Sequence, residues 1–199
     1  MIVGIFIILS IFGVDTTSIL AGAGLVGILL GFALQKLLQD MINGFFIIIE
    51  NQYIVGEYVQ INGKSGRVLE LGLKTTKILS YTGEMIIFSN GDITQVVNFS
   101  RNESLMIVDL VLLNENKYDK VYKIVEEVIT KFSHHNIIGK INILGVEEIN
   151  ELSYTLRITG KTKPYDYFEV ARLLKVELVK IFQENGVVFL EYKIIHPYL

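Results

Sequence analysis

The hydrophobic positions of this chain change period as it runs, and each period predicts a different element. Met1 to Val14 is apolar apart from Ser10, and Asp15-Thr16-Thr17-Ser18 then supplies turn and helix-cap chemistry. A helix over 1–14 rises only about 21 Å, short of the ~30 Å hydrocarbon core of a bilayer, so it reads as a short or partial membrane helix. From Ile19 to Leu34 no charge occurs, and with its polar flanks this run is about long enough for the ~20 residues that cross a bilayer. At about 100° per residue, Ala23, Gly24, Gly27 and Gly31 share one small-residue flank. Gly22 and Ala33 form a second small patch, and Ala21, Leu25, Ile28 and Phe32 stand on the narrow face between.

Small residues let helix backbones approach closely in lipid. Two small flanks admit a neighbour on each side, as a ring requires, and the face between then points at the ring axis. An apolar ring of Ile and Phe gates a pore by dewetting. The same glycines also suit a single helix pair in a membrane anchor.

Beyond Gln35 the spacing becomes amphipathic. Lys36, Gln39, Asp40, Asn43 and Glu50 alternate with Leu37, Leu38, Met41, Ile42, Phe45, Phe46 and Ile49 at helical intervals. A helix that leaves the membrane near Lys36 is expected to bend where its surroundings change, and Gly44 lowers its stiffness. One long helix entering a soluble domain fits the same pattern.

Alternation takes over from Tyr53 to Phe99. Short runs at Tyr58–Ile61, Gly66–Leu71, Lys74–Leu79, Met85–Phe88 and Thr94–Asn98 are punctuated by Asn62-Gly63, Thr82-Gly83 and Asn90-Gly91. Strands this short and evenly spaced predict a compact sandwich or barrel. After Leu105 the order is β-α-β-β-α-β. Strands at Leu105–Leu113, Ile141–Ile149, Leu152–Thr159 and Val187–Ile195 enclose two helices. Val121, Ile124, Val125, Val128, Ile129 and Phe132 mark the first, and Asp166 with Glu169 caps the second, which ends at Asn185-Gly186. This is the split βαβ, ferredoxin-like arrangement, an architecture that hosts many functions.

The stretches AGAGLVGILLGFALQ, VGEYV, INGKSGRVLELGLKTTKILSYTGEMIIFSNGDI and VVNFSR, in unbroken order from Asp15 to Arg101, resemble the small-conductance mechanosensitive (MscS) channel family. The resemblance extends more weakly over the C-terminal half. It implies a homoheptameric, tension-gated pore lined by the glycine-rich helix, with Ile28 and Phe32 on two apolar gate rings and Gly31 at a helix-packing position. The family's hinge glycine after GFALQ is replaced by Lys36, which moves the expected hinge toward Gly44. Ser89 likewise replaces the proline of the family's Ile-Pro-Asn-Gly turn. Family members usually carry at least two further helices before the pore helix, which implies a truncated chain or a short member and leaves tension sensing with little lipid contact.

Composition sharpens the picture. The 199 residues are 51% hydrophobic, with a mean hydropathy of +0.46, too apolar for most soluble domains. The absence of cysteine excludes disulfides and thiolate metal sites. A net charge of −3 gives no electrostatic footprint for nucleic acid. Ala21-Gly22-Ala23 resembles a signal-peptide cleavage site, but no Lys or Arg precedes Lys36 and the apolar run continues to Leu34. Candidate chemistry is thin. His134-His135 read as solvated loop residues, and His196 stands apart from them. Glu126-Glu127 and Glu147-Glu148 read as exposed faces with no nucleophile or oxyanion partner. Arg67, Lys74 and Lys77 suit either an ion path or solvated strand positions. No Gly-x-Gly-x-x-Gly or Walker pattern occurs, and the sequon Asn98-Phe99-Ser100 falls on the side that the family keeps inside the cell.

The expected fold class is a membrane α-helical N-terminal region followed by a cytoplasmic all-β domain (an Sm-like small barrel) and an α+β ferredoxin-like domain. The corresponding segments are 1–14, 16–50, 51–100 and 101–199. The expected function is a non-enzymatic, cofactor-free channel of the cell membrane, crossing it once or more. It contacts lipids, passes ions and releases small osmolytes on hypo-osmotic shock. A non-conducting membrane-anchored scaffold with a partner-binding soluble domain is the alternative, and a soluble enzyme behind a cleaved leader is a third class.

Overall fold

The structure, a computed structural model, describes residues 2–195, with side chains from 4 to 190; His196 lies outside the described residues. The chain divides into two compact units, Met1–Val97 and Asn98–Leu199.

The first unit opens with helix α1, Ile2–Ile11, and helix α2, Thr16–Ile49. At 10 residues, α1 rises about 15 Å. Asp15 starts α2 as its N-cap. Its Oδ1 accepts from the Thr17 backbone N–H at 3.0 Å, and its Oδ2 from the Ser18 hydroxyl at 2.6 Å. α2 is a single helix of 34 residues, and the chain turns away only at Asn51, whose φ is +53°. The break expected between Lys36 and Gly44 is therefore not present. Both positions are held by contacts with turns between the strands that follow, described below.

Those strands are β1 (Tyr58–Ile61), β2 (Lys64–Leu71), β3 (Thr75–Leu79), β4 (Met85–Ser89) and β5 (Val96–Asn98). They form one sheet in the order β4-β3-β2-β1-β5. Asn62 and Gly63 both adopt positive φ, +47° and +80°, which is the two-residue hairpin turn that asparagine-glycine favours. That tight turn lets β2 begin at Lys64 rather than Gly66, with Ile61 paired to Lys64. Strand alternation directs Val59, Ile61, Val68 and Ile78 into a small core, which Ile47 of α2 and Tyr53 complete. Asn90-Gly91 does not form a hairpin turn. It belongs to a short 3-10 turn, Asn90–Asp92, and Gly91 is absent from the positive-φ positions.

The second unit runs β6 (Ser104–Leu113), α3 (Tyr118–Lys131), β7 (Ile137–Ile149), β8 (Ser153–Thr162), α4 (Tyr167–Glu184) and β9 (Phe189–Ile195). Its antiparallel sheet has the order β7-β8-β6-β9. Met106, Val108, Leu110 and Leu112 of β6 alternate into a core with Val125 of α3 and Leu174, Leu178 and Phe182 of α4. β7 starts four residues before the expected Ile141, because Gly139 at φ +78° and a register shift between Ile138 and Asn142 disturb its alternation. Asp166 precedes α4 but makes no side-chain capping bond, and its backbone is already helical at φ −84° and ψ −1°. The expected capping box is thus not formed. Gly186, at φ +64°, ends the helix, and the Val187 N–H donates back to the Phe182 carbonyl at 2.9 Å. Between strands, Arg157 donates twice to Asp109, at 2.8 Å each, and lies 2.7 Å from Glu147. Asp109, and secondarily Glu147, raise the guanidinium's pKa above its already high ordinary value.

Candidate functional site

The candidate site is α2 and the surface that receives it. Among the described residues, α2 is the one helix long and apolar enough to cross a membrane. Over its first two-thirds every side chain from Leu20 to Gln39 is exposed. Ala21, Leu25, Ile28 and Phe32 are open along one face, with Phe32 70% exposed. Ala23, Gly24, Gly27 and Gly31 are open as well, and a Cβ built on any of the three glycines meets no atom within 4 Å. In the single chain, then, both the apolar face and its small flank lack a neighbour.

The last third of α2 behaves differently. Its buried residues are Asp40, Gly44 and Ile47, and they belong to the polar face rather than the apolar one. Leu38, Ile42, Phe45, Phe46 and Ile49 remain exposed. Helices on soluble domains bury the apolar stripe; here the polar side meets protein and the apolar side faces outward, as suits lipid or another apolar surface.

The polar face rests on the Asn90–Asp92 turn. Asp40, 1% exposed, accepts from the Gly91 backbone N–H at 2.9 Å. Lys36 is ion-paired with Asp92, and its Nζ is 3.7 Å from Asp40 Oδ1. Gln39 and Asn43 donate to the Gly91 and Asn90 carbonyls, each at 3.4 Å. Gly44 sits against the β2–β3 connection, where a Cβ would fall 2.0 Å from the Leu73 carbonyl oxygen. A Cβ on Gly91 would fall 2.5 Å from Asp40 Oδ1. Glycine at both positions permits this close approach.

Asn90 carries this contact into the core of the sheet. Its Nδ2 donates to the Gly72 and Leu73 carbonyls at 2.8 Å each, and its Oδ1 accepts from the Thr76 hydroxyl at 2.8 Å. With its single proton given to Asn90, Thr76 accepts from the Tyr53 hydroxyl at 2.9 Å. Tyr53, Thr76 and Asn90 are each 0% exposed. Burial raises the Tyr53 pKa above its ordinary 10.0, with the bond to Thr76 opposing the shift. Buried polar chains of this kind are costly unless fully paired, and this one is paired along its length.

Other polar residues have simpler places. Arg67 donates to the Gly56 carbonyl at 2.7 Å and Lys77 pairs with Glu70 at 2.7 Å. Lys74 contributes its carbonyl to the Asn90 N–H. The His134 and His135 rings are tilted by 36° with centroids 4.4 Å apart, and His134 Nδ1 accepts from the Asn136 N–H. Asp40, Asn90, Gly91, Asp92, Thr76 and Tyr53 were not signalled as functional by spacing. Their one sequence trace is the placement of Lys36, Asp40 and Asn43 on a single helical face.

Comparison with known proteins agrees with this layout. Residues 1–35 match the family description "Mechanosensitive ion channel, transmembrane helices 2/3" and residues 36–101 match "Mechanosensitive ion channel, beta-domain". The chain is 34% identical over 184 residues to a small-conductance mechanosensitive channel of Caldanaerobacter subterraneus. That match covers 92% of this chain but 65% of the relative, so the chain spans just under two-thirds of its length. Identity is 30% over 201 residues with the MscS family protein YfkC of Bacillus subtilis, covering 94% of this chain and 72% of the relative. The fold is similar to that of the closed-state MscS of Helicobacter pylori, with a TM-score of 0.79 at 22% identity over 100% of this chain and 79% of the other. Arabidopsis thaliana MSL1 gives a TM-score of 0.71 at 20% identity, over 95% and 71% of the two chains. By sequence and by fold, the chain belongs to the MscS family of mechanosensitive ion channels.

Proposed function

We propose that this chain forms a homo-oligomeric, tension-gated ion channel of the cell membrane, heptameric as the family resemblance implies. The observation that carries the reading is the division of α2. Its upper part leaves an apolar face and an adjoining glycine flank unpartnered, while its lower part is tied by polar contacts to the β unit. Copies of α2 packed through Ala23, Gly24, Gly27 and Gly31 surround an axis lined by Ala21, Leu25, Ile28 and Phe32, and the last two close it by dewetting. Tension favours the state of larger in-plane area. Helices then slide on their glycine flanks, Ile28 and Phe32 withdraw, and ions and small osmolytes pass.

On this reading both soluble parts are cytoplasmic. The five-stranded sheet supports an Sm-like barrel. The sheet order β7-β8-β6-β9 with two helices supports a ferredoxin-like domain. Flexure between Lys36 and Gly44 during gating requires release of the Asp92, Gly91 and Leu73 contacts, so the dock and the hinge act as one unit.

Purified protein in lipid bilayers under graded suction tests this directly. Single-channel openings whose probability rises with tension are expected. A correctly assembled oligomer that never conducts at lytic tension would instead be the membrane-anchored scaffold.

A further inference from the structure

Lys36 and Asp40 are the only charged residues of α2. Lys36 follows Phe32 by one turn, within about 40° of the apolar face at about 100° per residue. Gln39 and Asn43 extend that face without charge. Asp40 is withdrawn beneath Gly91, its side chain 2% exposed, whereas the Lys36 and Asp92 side chains are 52% and 61% exposed. Below the apolar face stand one exposed cation and one exposed anion, paired with each other, with the buried Asp40 carboxylate 3.7 Å from Lys36.

We propose that the Lys36–Asp92 pair sets the ion selectivity of the channel, Lys36 offsetting the carboxylates beside it. This rests on the pore reading above. Rings of like charge select ions by sign, and such charges act over about 8–10 Å at ordinary ionic strength. A ring of Lys36 alone favours anions, and a ring of Asp92 alone favours cations. With the buried Asp40 carboxylate 3.7 Å from Lys36, the pair leaves each subunit one net negative charge, and the ring favours cations mildly. An exposed ion pair of this kind contributes little to folding, so its members can be neutralised without dismantling the dock that Asp40 makes with Gly91.

The test is the reversal potential of the full chain in planar bilayers across a tenfold KCl gradient, in wild type, Lys36→Gln, Asp92→Asn and the double variant. Wild type is expected to show a chloride-to-potassium permeability ratio below one. Lys36→Gln should lower the ratio at least twofold, Asp92→Asn should raise it at least twofold, and the double variant should return to wild type. Asp92→Asn, on an exposed turn, carries the test should Lys36→Gln fail to assemble. Conducting single variants with an unmoved ratio, or both moving the same way, overturn the assignment and leave the channel standing. A wild-type protein that never conducts overturns the channel reading and this assignment together.

Discussion

Asp40 Oδ1 accepts a 2.9 Å hydrogen bond from the backbone N–H of Gly91, joining α2 to a turn 51 residues further on. Hydrogen bonds to a charged group contribute about 1.5–3 kcal/mol, and the carboxylate of this one is buried. Asp40→Ala should therefore destabilise the first unit by roughly that amount and speed amide exchange at Gly91. Asp40→Asn keeps an acceptor at the same place and should lose less. Urea unfolding followed by circular dichroism ranks the three proteins. Equal midpoints for wild type and Asp40→Ala would mean that the bond adds nothing.

Gly44 offers a test in which two effects have opposite sign. By helix propensity alone, Gly44→Ala should stabilise α2 by about 1 kcal/mol. The Leu73 carbonyl lies 2.0 Å from where that Cβ would stand, and Asn90 Nδ2 ties this carbonyl in place at 2.8 Å. Overpacking against fixed backbone costs about 1–3 kcal/mol and should win. A lowered unfolding midpoint is expected, and a raised one would restore Gly44 as a point of flexibility alone.

These two contacts separate what was legible in the sequence from what was not. The helical period of Val121 to Phe132 and the alternation around Val59, Ile61, Val68 and Ile78 report burial, because apolar side chains at a fixed period must share a face. Asn62-Gly63 reports its hairpin because few other pairs tolerate two positive φ values. The dock was hidden because its signals have a commoner meaning. A polar helical face ordinarily means water, yet Lys36, Asp40 and Asn43 meet protein. Asn90-Gly91 has the composition of a hairpin turn, yet its glycine is there to let a carboxylate approach. Gly44 in a helix suggests flexibility, and only the carbonyl facing it says otherwise. Start positions such as Ile137 were blurred by Gly139, whose conformation breaks the period.

Tyr53 predicts a dependence on pH. Burial raises its pKa above 10.0 in the folded chain, whereas the unfolded chain ionises near the ordinary value. The neutral phenol's contribution is then fully present below about pH 10 and is lost as pH rises through the higher folded value. Unfolding midpoints between about pH 8 and 11 should fall more steeply for wild type than for Tyr53→Phe across the upper end. The variant should also lose about 0.5–1.5 kcal/mol at neutral pH with the bond to Thr76. Parallel curves would assign the alkaline loss to other groups.

The final prediction concerns the open face of α2, where the single chain offers a control. Ile28 is 58% exposed, and a Cβ on Gly31 meets nothing within 4 Å. Substitutions there touch no other part of the subunit, so subunit stability should move only by the helix-propensity difference, about 1 kcal/mol or less. Any large effect must arise between copies. In a ring closed by Ile28 and Phe32, Ile28→Ser places hydroxyls at the constriction and admits water. The expected result is current at zero tension and slowed growth of expressing cells. Gly31→Leu fills the flank where neighbouring backbones approach and should impair assembly or raise the opening threshold far more than Leu30→Ala on another face. Size-exclusion chromatography and patch recording read both outcomes. Normal closure in Ile28→Ser, with the oligomer intact, would move the constriction off this face. Mild and equal effects from Gly31→Leu and Leu30→Ala would leave α2 as a loosely packed anchor.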